Sequence, residues 1–388
     1  MTGTRLIAGS PNRLLSLDAL RGITIAFMIM VNNNGGDGAW PFMKHADWNG
    51  MTATDLVFPT FLFVVGASIV FAFEARLAKG ATRAELALQT VKRAAILFLL
   101  GLIVNGFGEA VAHFPAIPFG TWRIYGVLQR IAICYLVASF LYLWDRKASS
   151  KVAILAGCLV GYWILMRWVP VPGLGMPGRD IPFLDRDANW VAWLDRHLLP
   201  GRLYEGVRDP EGLLSDIPAL GTCLLGMLAG LWVRSKRSME EKAKGLAAGA
   251  VGLLILGFTW SIWFPLNKKL WTSSYVLAAA GISTAVFALC FWAIEVKGWR
   301  RGWTWAPLVL GSNAITAYMI SEVLPGFFVR WHLMAGGKRV DIFGWVFVNV
   351  FSLIPVPSLA CFAYSFCYMA LCFVPVWVLY KKKIFIKV

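Results

Sequence analysis

Long apolar stretches, separated by shorter polar segments, follow one another along almost the whole chain. A helix needs about 20 apolar residues to cross the hydrocarbon core of a bilayer. Such stretches are predicted at 14–33, 56–76, 92–111, 124–144, 152–169, 213–233, 245–265, 273–295, 305–325 and 359–380. The pattern therefore predicts an all-α fold, a polytopic integral membrane bundle of about ten transmembrane helices.

Two further segments interrupt this regular pattern. Residues 342–355 are apolar but short and end at a proline, so they are predicted to lie at the membrane interface or to re-enter the membrane. Residues 170–212 form a long polar connection, which is unusual without a function. We predict a single transmembrane domain over residues 1–388, with 170–212 as its long extracytoplasmic loop.

Composition and charge support the membrane assignment. Apolar residues make up 58% of the chain, against about 45–50% in soluble domains. The net charge of +16 comes from alternate connections, such as 76–93, 146–151, 234–244, 297–301 and the lysines at 381–383. The positive-inside rule puts these connections and both termini in the cytoplasm. This explanation removes nucleic acid as a partner and leaves the lipid bilayer.

Candidate chemistry is concentrated at 42–68, where polar side chains directly precede an apolar run. The chain has only four histidines, and a histidine beside carboxylates at a membrane surface is typical of proton or acyl transfer. His45 is thus the candidate base or nucleophile, with Asp55 or Asp47 holding its ring; a solvated loop histidine is the alternative. Its neighbours Asp47, Trp48 and Asn49 are candidate substrate contacts.

Three polar residues of the first predicted span share one helix face, because their spacings are close to whole turns. Asp18, Arg21 and Asn32 extend along about 21 Å of helix. They predict a polar track toward His45, with Asp18 and Arg21 at the cofactor. The alternative is a local ion pair between Asp18 and Arg21. Asn32 could donate to a carbonyl oxygen on which charge develops.

Arg130 lies deep in the fourth predicted span, where an arginine needs a carboxylate or a phosphate. Asp18, Asp55 and Glu109 are the carboxylate candidates, and a phosphorylated cofactor is the alternative. In the ninth predicted span, Asn313 and Thr316 lie one turn apart and are interpreted as helix-packing residues.

The segment NKKLWTSSY before the eighth predicted span contains Asn267, Lys268 and Trp271. A tryptophan beside polar donors suits carbohydrate stacking, so these three residues are predicted to contact substrate. An aromatic belt at the membrane boundary is the alternative. All seven cysteines lie in predicted spans without zinc spacing, so neither a disulfide framework nor a metal site is expected.

Several motifs, taken in order, resemble a known family. They are SLDALRG, KHADWNG followed by DLVFPTFLFVVGAS, GVLQR, DPEG and NKKLWTSSY. The chain is similar to the transmembrane acetyltransferases that include lysosomal heparan-α-glucosaminide N-acetyltransferase and its bacterial NagX-type relatives. Two departures concern the acceptor more than the chemistry: the linker NNGGDGAWPFMK is longer, and the lysosomal enzyme's extra luminal N-terminal portion is absent.

The resemblance implies transfer of acetyl from cytosolic acetyl-CoA to the amine of a glucosamine-type sugar or glycan on the other side of the membrane. The family's catalytic histidine matches His45, and its aspartate and asparagine match Asp55 and Asn32. A bacterial member would lie in the inner membrane with His45 on the periplasmic side and could form a homodimer. Two rival functions stay open: a secondary transporter for an amino sugar, and an O-acyltransferase of envelope polysaccharide.

Overall fold

A computed structural model describes residues 14–300 and 302–386, which are predominantly helical. The α-helices of this part of the chain are α1 (Leu15–Asn32), α2 (Val57–Leu77), α3 (Arg83–His113), α4 (Val127–Trp144), α5 (Ala148–Trp168), α6 (Trp190–Leu198), α7 (Asp216–Arg234), α8 (Met239–Trp260), α9 (Ser273–Phe291), α10 (Trp305–Ser312), α11 (Ala314–Phe327), α12 (Ile342–Asn349) and α13 (Pro357–Lys381). A π-helical turn, Trp292–Val296, extends α9, and β1 (His332–Ala335) pairs antiparallel with β2 (Lys338–Asp341).

Nine of the described helices are long and apolar enough to cross a membrane, or ten spans if α10 and α11 are counted as one bent span. They are α1 to α5, α7, α8, α9 with its extension, and α13. The predicted polytopic helical membrane fold is therefore confirmed. The predicted locations of the two termini fall outside the described residues at 1–13 and 387–388 and stay predictions.

Close packing of α2 against α7 forms the centre of the bundle. A Cβ atom on Gly66 would lie 1.8 Å from the Cys223 carbonyl oxygen, and one on Gly226 would lie 1.9 Å from the Phe63 carbonyl oxygen. Glycine is therefore required where the two backbones touch. Two-thirds of the central windows of α2, α7 and α9 are buried in the protein, against 22% for α3 and α8. Helices α3 and α8 consequently present most of their surface to lipid.

The ninth predicted span is not one continuous helix. It breaks at Asn313, and α10 and α11 meet at an angle of 80°. The Asn313 side chain does not bind a neighbouring span helix as predicted, but binds the backbone of Ile384 and Ile386. The predicted span at 305–325 thus consists of two helices, and its apolar composition does not reveal a break at which one amide side chain supplies the hydrogen bonds.

The segment from 328 to 356 forms small structures outside the long helices. Gly336 and Gly337, both at positive φ, make the two-residue turn between β1 and β2, as a Gly-Gly hairpin requires. This hairpin is a local exception to the predicted all-α fold. Residues 342–355 form the eight-residue α12 and a 3₁₀ turn, Phe351–Leu353, which are too short to span a bilayer.

The connections alternate between two ends of the bundle. Glu74 near the end of α2 contacts Arg146 after α4 at 3.1 Å and Arg234 at the end of α7 at 3.5 Å, so these helices end together. We call this the basic end. At the other end, the indole of Trp48 donates to the Leu184 carbonyl at 2.9 Å, which joins the loop before α2 to the 170–212 connection. We call this the His45 end. Which end faces the cytoplasm stays a prediction.

Candidate active site

A buried carboxylate holds the ring of His45. His45 Nδ1 lies 2.7 Å from Asp55 Oδ1, and Asp55 is 1% exposed in the 3₁₀ turn Thr54–Leu56 that starts α2. The second oxygen, Oδ2, accepts the backbone N–H groups of Ala46 and Thr52, both at 3.0 Å. The Thr52 hydroxyl lies 3.1 Å from the same oxygen. The carboxylate is therefore fixed by donors on one oxygen and presents the other to the imidazole.

This arrangement selects one form of the neutral imidazole. An ionised carboxylate only accepts hydrogen bonds, so the Nδ1 that faces Asp55 carries the proton. Nε2 then has a free lone pair. The His45 side chain is 48% exposed, so Nε2 is open to a reactant. A histidine held in this way can remove a proton or act as a nucleophile.

Lys268 places an ammonium group against this pair. Its Nζ lies 3.1 Å from His45 Nδ1, 3.4 Å from Nε2 and 3.8 Å from Asp55 Oδ1. The side chain is only 17% exposed. The pKa of Lys268 is lowered, because burial outweighs the nearby Asp55 carboxylate, which acts to raise it. When protonated, this group is placed to stabilise negative charge that develops on a substrate oxygen beside the imidazole.

The turn at 266–272 holds Lys268 in position. The buried Asn267 accepts the Leu270 N–H at 2.9 Å and donates its amide to Asn49 Oδ1 at 3.2 Å. The Gly50 N–H donates to the Leu266 carbonyl at 2.8 Å. Two hydrogen bonds thus join this turn to the loop that contains His45. The sequence predicted both segments as site elements, and the structure brings them together.

Trp271 has a packing role in this structure, which contradicts its prediction as a sugar-stacking surface. Its side chain is 1% exposed, its indole donates to the Thr222 hydroxyl at 3.1 Å, and its ring lies 5.1 Å from that of Phe58. A buried ring offers no face to a sugar. Its φ of 53° is unusual for a bulky residue, which indicates that the turn is held by its surroundings. Asn267 is likewise fully buried and has no open face for substrate.

The predicted long loop lies over the His45 end. The Trp48 ring contacts the guanidinium groups of Arg186 and Arg208, at 5.5 and 5.1 Å from the ring centre. Asp47 forms an ion pair with Arg186, whose hydrogen bond lowers the pKa of Asp47. Asp47 and Asn49 are exposed beside His45. Their predicted contacts with substrate, and that of Trp48, stay predictions.

Arg130 is paired with a protein carboxylate that the sequence analysis did not consider. Its guanidinium is fully buried, with Nε 2.9 Å from Asp216 Oδ1 and Nη2 3.0 Å from the Gly212 carbonyl. Asp216 begins α7, directly after the DPEG segment, so no sequence spacing linked it to Arg130. The three predicted partners, Asp18, Asp55 and Glu109, are therefore wrong. The lack of a known partner was the reason to assign Arg130 to the cofactor, and that reason no longer holds.

Asp18, Arg21 and Asn32 do not form a continuous polar track. Arg21 pairs with Asp18 at 2.9 Å and donates to the Ser68 hydroxyl at 2.8 Å, so the alternative of a local ion pair is correct. The amide of Asn32 donates to Glu322 Oε1 at 3.1 Å. Among the described residues, the structure has no hydrogen bond between Asn32 and His45, so the predicted catalytic role of Asn32 stays a prediction.

A cavity of about 630 Å³ runs along α2. It is lined from Phe58, one turn after Asp55, to Arg76 near the end of the helix. Arg76 lies 18 positions after Phe58, which corresponds to about 27 Å at 1.5 Å per residue, close to the roughly 30 Å hydrocarbon thickness of a bilayer. The cavity therefore extends along most of the length of α2.

The two ends of this cavity differ in character. Its lining near the His45 end is apolar, with Phe58, Phe61 and Leu128, whereas its basic end has positively charged side chains and one amide. Those side chains are Arg21, Arg76, Gln89, Lys92 and Arg93. The sequence analysis assigned the three basic residues of α2 and α3 in this set to a cytoplasmic connection and only Arg21 to the cofactor. The reason is that the positive-inside rule alone explains a basic residue at the end of a membrane helix.

A second buried carboxylate shapes the loop above the site. Asp195 in α6 accepts the backbone N–H groups of Asp209 and Leu213, both at 3.2 Å. Burial raises the pKa of Asp195 to about 7. It thus holds the DPEG turn that precedes Asp216, the partner of Arg130. The sequence analysis did not identify Asp195, since nothing in the sequence shows that α6 faces this turn.

Comparison with known proteins gives the family. The family described as "Heparan-alpha-glucosaminide N-acetyltransferase, catalytic" matches residues 13–264. The chain belongs to this family. It is 29% identical over 375 residues to the human heparan-alpha-glucosaminide N-acetyltransferase and 29% identical over 373 residues to the mouse protein. Each alignment covers 84% of this chain, but only 55% of the human and 56% of the mouse protein. The chain thus spans about half the length of these curated relatives.

The heparan-alpha-glucosaminide N-acetyltransferase match contains part of the site. It includes Asn32, His45 and Asp55, and it ends at residue 264, before the turn that supplies Lys268. The family resemblance deduced from the motifs is thereby confirmed. The contact between Lys268 and His45 comes from the three-dimensional structure, because 223 residues separate them in the chain.

Proposed function

We propose that this protein is a membrane acetyltransferase that takes acetyl from acetyl-CoA at the basic end and passes it to the amine of a glucosamine-type sugar at the His45 end. Family membership supports the reaction class. The observation that supports the transmembrane route is the single cavity lined from Arg76 to Phe58, with Asp55 and His45 one turn beyond it. In a bacterial inner membrane, the basic end would face the cytoplasm, where acetyl-CoA is made.

The cavity matches the chemistry of acetyl-CoA in two respects. Phosphate groups bind arginine and lysine side chains, which lie at the basic end. The pantetheine arm is long and mostly uncharged, which suits the apolar part toward Phe58. We place the thioester next to the His45–Asp55 pair, where the cavity ends. The bulk of the cofactor then stays at the basic end while its reactive carbon lies near the opposite end.

The first chemical route uses His45 as a general base. The amine nitrogen of the acceptor attacks the thioester carbonyl carbon while one N–H proton passes to Nε2 of His45. Lys268 stabilises the negative charge on the carbonyl oxygen, and Asp55 stabilises the imidazolium. The C–S bond then breaks and the proton on Nε2 passes to the leaving thiolate. The products are an amide, a free thiol and the neutral histidine.

The second route uses His45 as a nucleophile. Nε2 attacks the thioester carbonyl carbon, the C–S bond breaks and coenzyme A leaves as a thiolate, and the acetyl group resides on the imidazole. The amine then displaces the imidazole and loses one proton, which balances the protonation of the thiolate. Incubation of the enzyme with labelled acetyl-CoA and no acceptor separates the routes. Acid-labile label on His45, absent from His45→Ala, supports the nucleophile. Absence of label, together with kinetics in which both substrates bind before a product leaves, supports the base.

Product analysis with the purified protein tests the function itself. Glucosamine should become N-acetylated with labelled acetyl-CoA, whereas glucose, which has no amine, should not react. His45→Ala should lower the rate at least about 10²-fold, the lower end of the contribution of an acid–base group. His113→Ala is the matched control, because His113 is also exposed and lies at the end of α3 on the same side. Uptake without acetylation would favour the transporter, and acetylation of glucose hydroxyls would favour the O-acyltransferase.

A further inference from the structure

The chain reverses direction immediately after α13. The Ile384 N–H donates to the Leu379 carbonyl at 2.9 Å and the Lys383 N–H donates to the Tyr380 carbonyl at 3.0 Å. Lys383 has a φ of 58°. These features define a Schellman motif, in which glycine normally occupies the left-handed position. A lysine persists there only when contacts beyond the turn fix the conformation, so the path of the residues that follow α13 is determined by what they bind.

The following residues bind Asn313 at the break between α10 and α11. The Asn313 amide donates to the Ile384 carbonyl at 3.1 Å, and its carbonyl oxygen accepts the Ile386 N–H at 2.9 Å. Asn313 is 2% exposed. One buried side chain therefore holds both backbone groups of this short segment, and the helix break places that side chain within reach.

This segment reaches the cavity. Ile386 lines it together with Gly311 and Ser312, the last residues of α10. Arg21, which also lines the cavity, donates to the Gly311 carbonyl at 3.3 Å. Ile386 thus lines the same cavity as Arg21, next to the end of α10 that Arg21 contacts. The reversal after α13, the Asn313 contacts and this position in the wall are three separate observations.

We propose that Ile386 forms part of one wall of the acetyl-CoA site and that Asn313 is the positioning residue that holds it there, through the backbone of Ile384 and Ile386. The inference rests on the proposed function, because it takes the cavity as the cofactor site. Ile386 contributes apolar contact with the cofactor, and Asn313 acts only through the segment it binds. Loss of either residue should weaken cofactor binding and leave the acceptor site at the other end of the bundle unchanged.

The test measures the Kd of coenzyme A by calorimetry on the full chain in lipid nanodiscs. Ile386→Ser removes the apolar contact and keeps the clamp, and Asn313→Ala removes both hydrogen bonds of the clamp. Each should raise the Kd about tenfold or more, as expected when an apolar side chain that the cofactor would cover is removed from its site. The matched control is Ile384→Ala, because the Ile384 side chain does not line the cavity and only its backbone carbonyl binds Asn313; its Kd should equal that of wild type.

Steady-state kinetics provide a readout that general destabilisation would not give. In both variants the KM for acetyl-CoA should rise while the KM for glucosamine stays near wild type, and the thermal stability of Ile386→Ser should also stay near wild type. If Asn313→Ala fails to fold, the Kd of Ile386→Ser alone tests the proposal, because this substitution lies outside the helices and should not disturb folding. An unchanged Kd in folded Ile386→Ser would overturn the inference and leave the proposed function intact. Wild-type protein that binds no coenzyme A would overturn both.

Discussion

Asp55→Asn replaces the carboxylate that holds the His45 ring by an amide, which has one oxygen and one NH₂ group. The backbone N–H groups of Ala46 and Thr52 both point at Oδ2, at 3.0 Å. Two donors cannot face an NH₂ group, so the remaining oxygen must stay at Oδ2 and the NH₂ group must face His45 Nδ1. Nδ1 then becomes an acceptor, and the proton of the neutral imidazole moves to Nε2. The nitrogen that should react with substrate has lost its free lone pair.

The expected loss follows from this change of tautomer. A positioned acid–base group contributes about 10²- to 10⁴-fold, and the same change in a serine-protease triad lowers kcat about 10⁴-fold. We therefore expect kcat to fall by at least about 10²-fold, equivalent to about 2.7 kcal/mol of transition-state free energy. Binding of coenzyme A should not change, because Asp55 does not line the cavity.

Two measurements check this reasoning. Acetylation of glucosamine gives the rate, and ¹⁵N NMR of histidine-labelled protein gives the tautomer, which is practical with only four histidines. The control is Asp47→Asn, which removes a carboxylate two residues from His45 that pairs with Arg186 instead of the ring. A loss of tenfold or less in Asp55→Asn, below the roughly 10²-fold minimum of an acid–base contribution, would refute the tautomer argument. So would an unchanged tautomer in the NMR spectrum.

Three further predictions concern charged side chains. Lys268→Met should lower kcat about 10²-fold, as loss of one donor to a developing oxyanion does, with coenzyme A binding unchanged; an unchanged kcat would remove Lys268 from the chemistry. Arg21→Gln should weaken coenzyme A binding, which calorimetry measures. Arg130→Gln should leave coenzyme A binding unchanged and lower the thermal stability, because Asp216 loses its buried ion-pair partner; thermal unfolding measures that loss. Burial raises the pKa of Asp195 to about 7, so the folded protein favours the protonated form and the free energy of unfolding should fall as the pH rises to about 7. Melting curves at pH 5.5 and 8.5 should show this loss of stability in wild type but not in Asp195→Asn.

The sequence predicted where the membrane helices lie but not which helices contact each other. Hydropathy located the long spans, because about 20 consecutive apolar positions leave little choice in a bilayer, although α3 begins nine residues before the predicted span at 92–111. It missed the break at Asn313, since both halves are apolar and the break is stabilised by a segment 71 residues away. The Gly336–Gly337 hairpin was within reach of sequence analysis, because two adjacent glycines before alternating residues predict such a turn.

The candidate site divides in the same way. His45 and Asp55 were predictable because ten residues of loop and turn bring them together locally. Trp271 was misassigned, because the sequence cannot distinguish an exposed indole from one that fills a gap between helices. The Arg130–Asp216 pair depends on how α4 meets α7, and long-range contacts of this kind are not encoded in any local pattern. The cavity along α2 likewise requires several helices and becomes visible only in the assembled bundle.

The central claim is that acetyl crosses from one end of the bundle to the other, and sealed proteoliposomes test it most directly. The protein is inserted in one orientation, which is verified with cysteines at Gly178 and Ser238 and an impermeant thiol reagent. Labelled acetyl-CoA is then supplied only at the basic end and glucosamine only at the His45 end. We expect N-acetylglucosamine to appear in the His45-end compartment while coenzyme A stays on the other side, and His45→Ala to give none. Product that forms only when both substrates share one compartment would contradict the transmembrane mechanism.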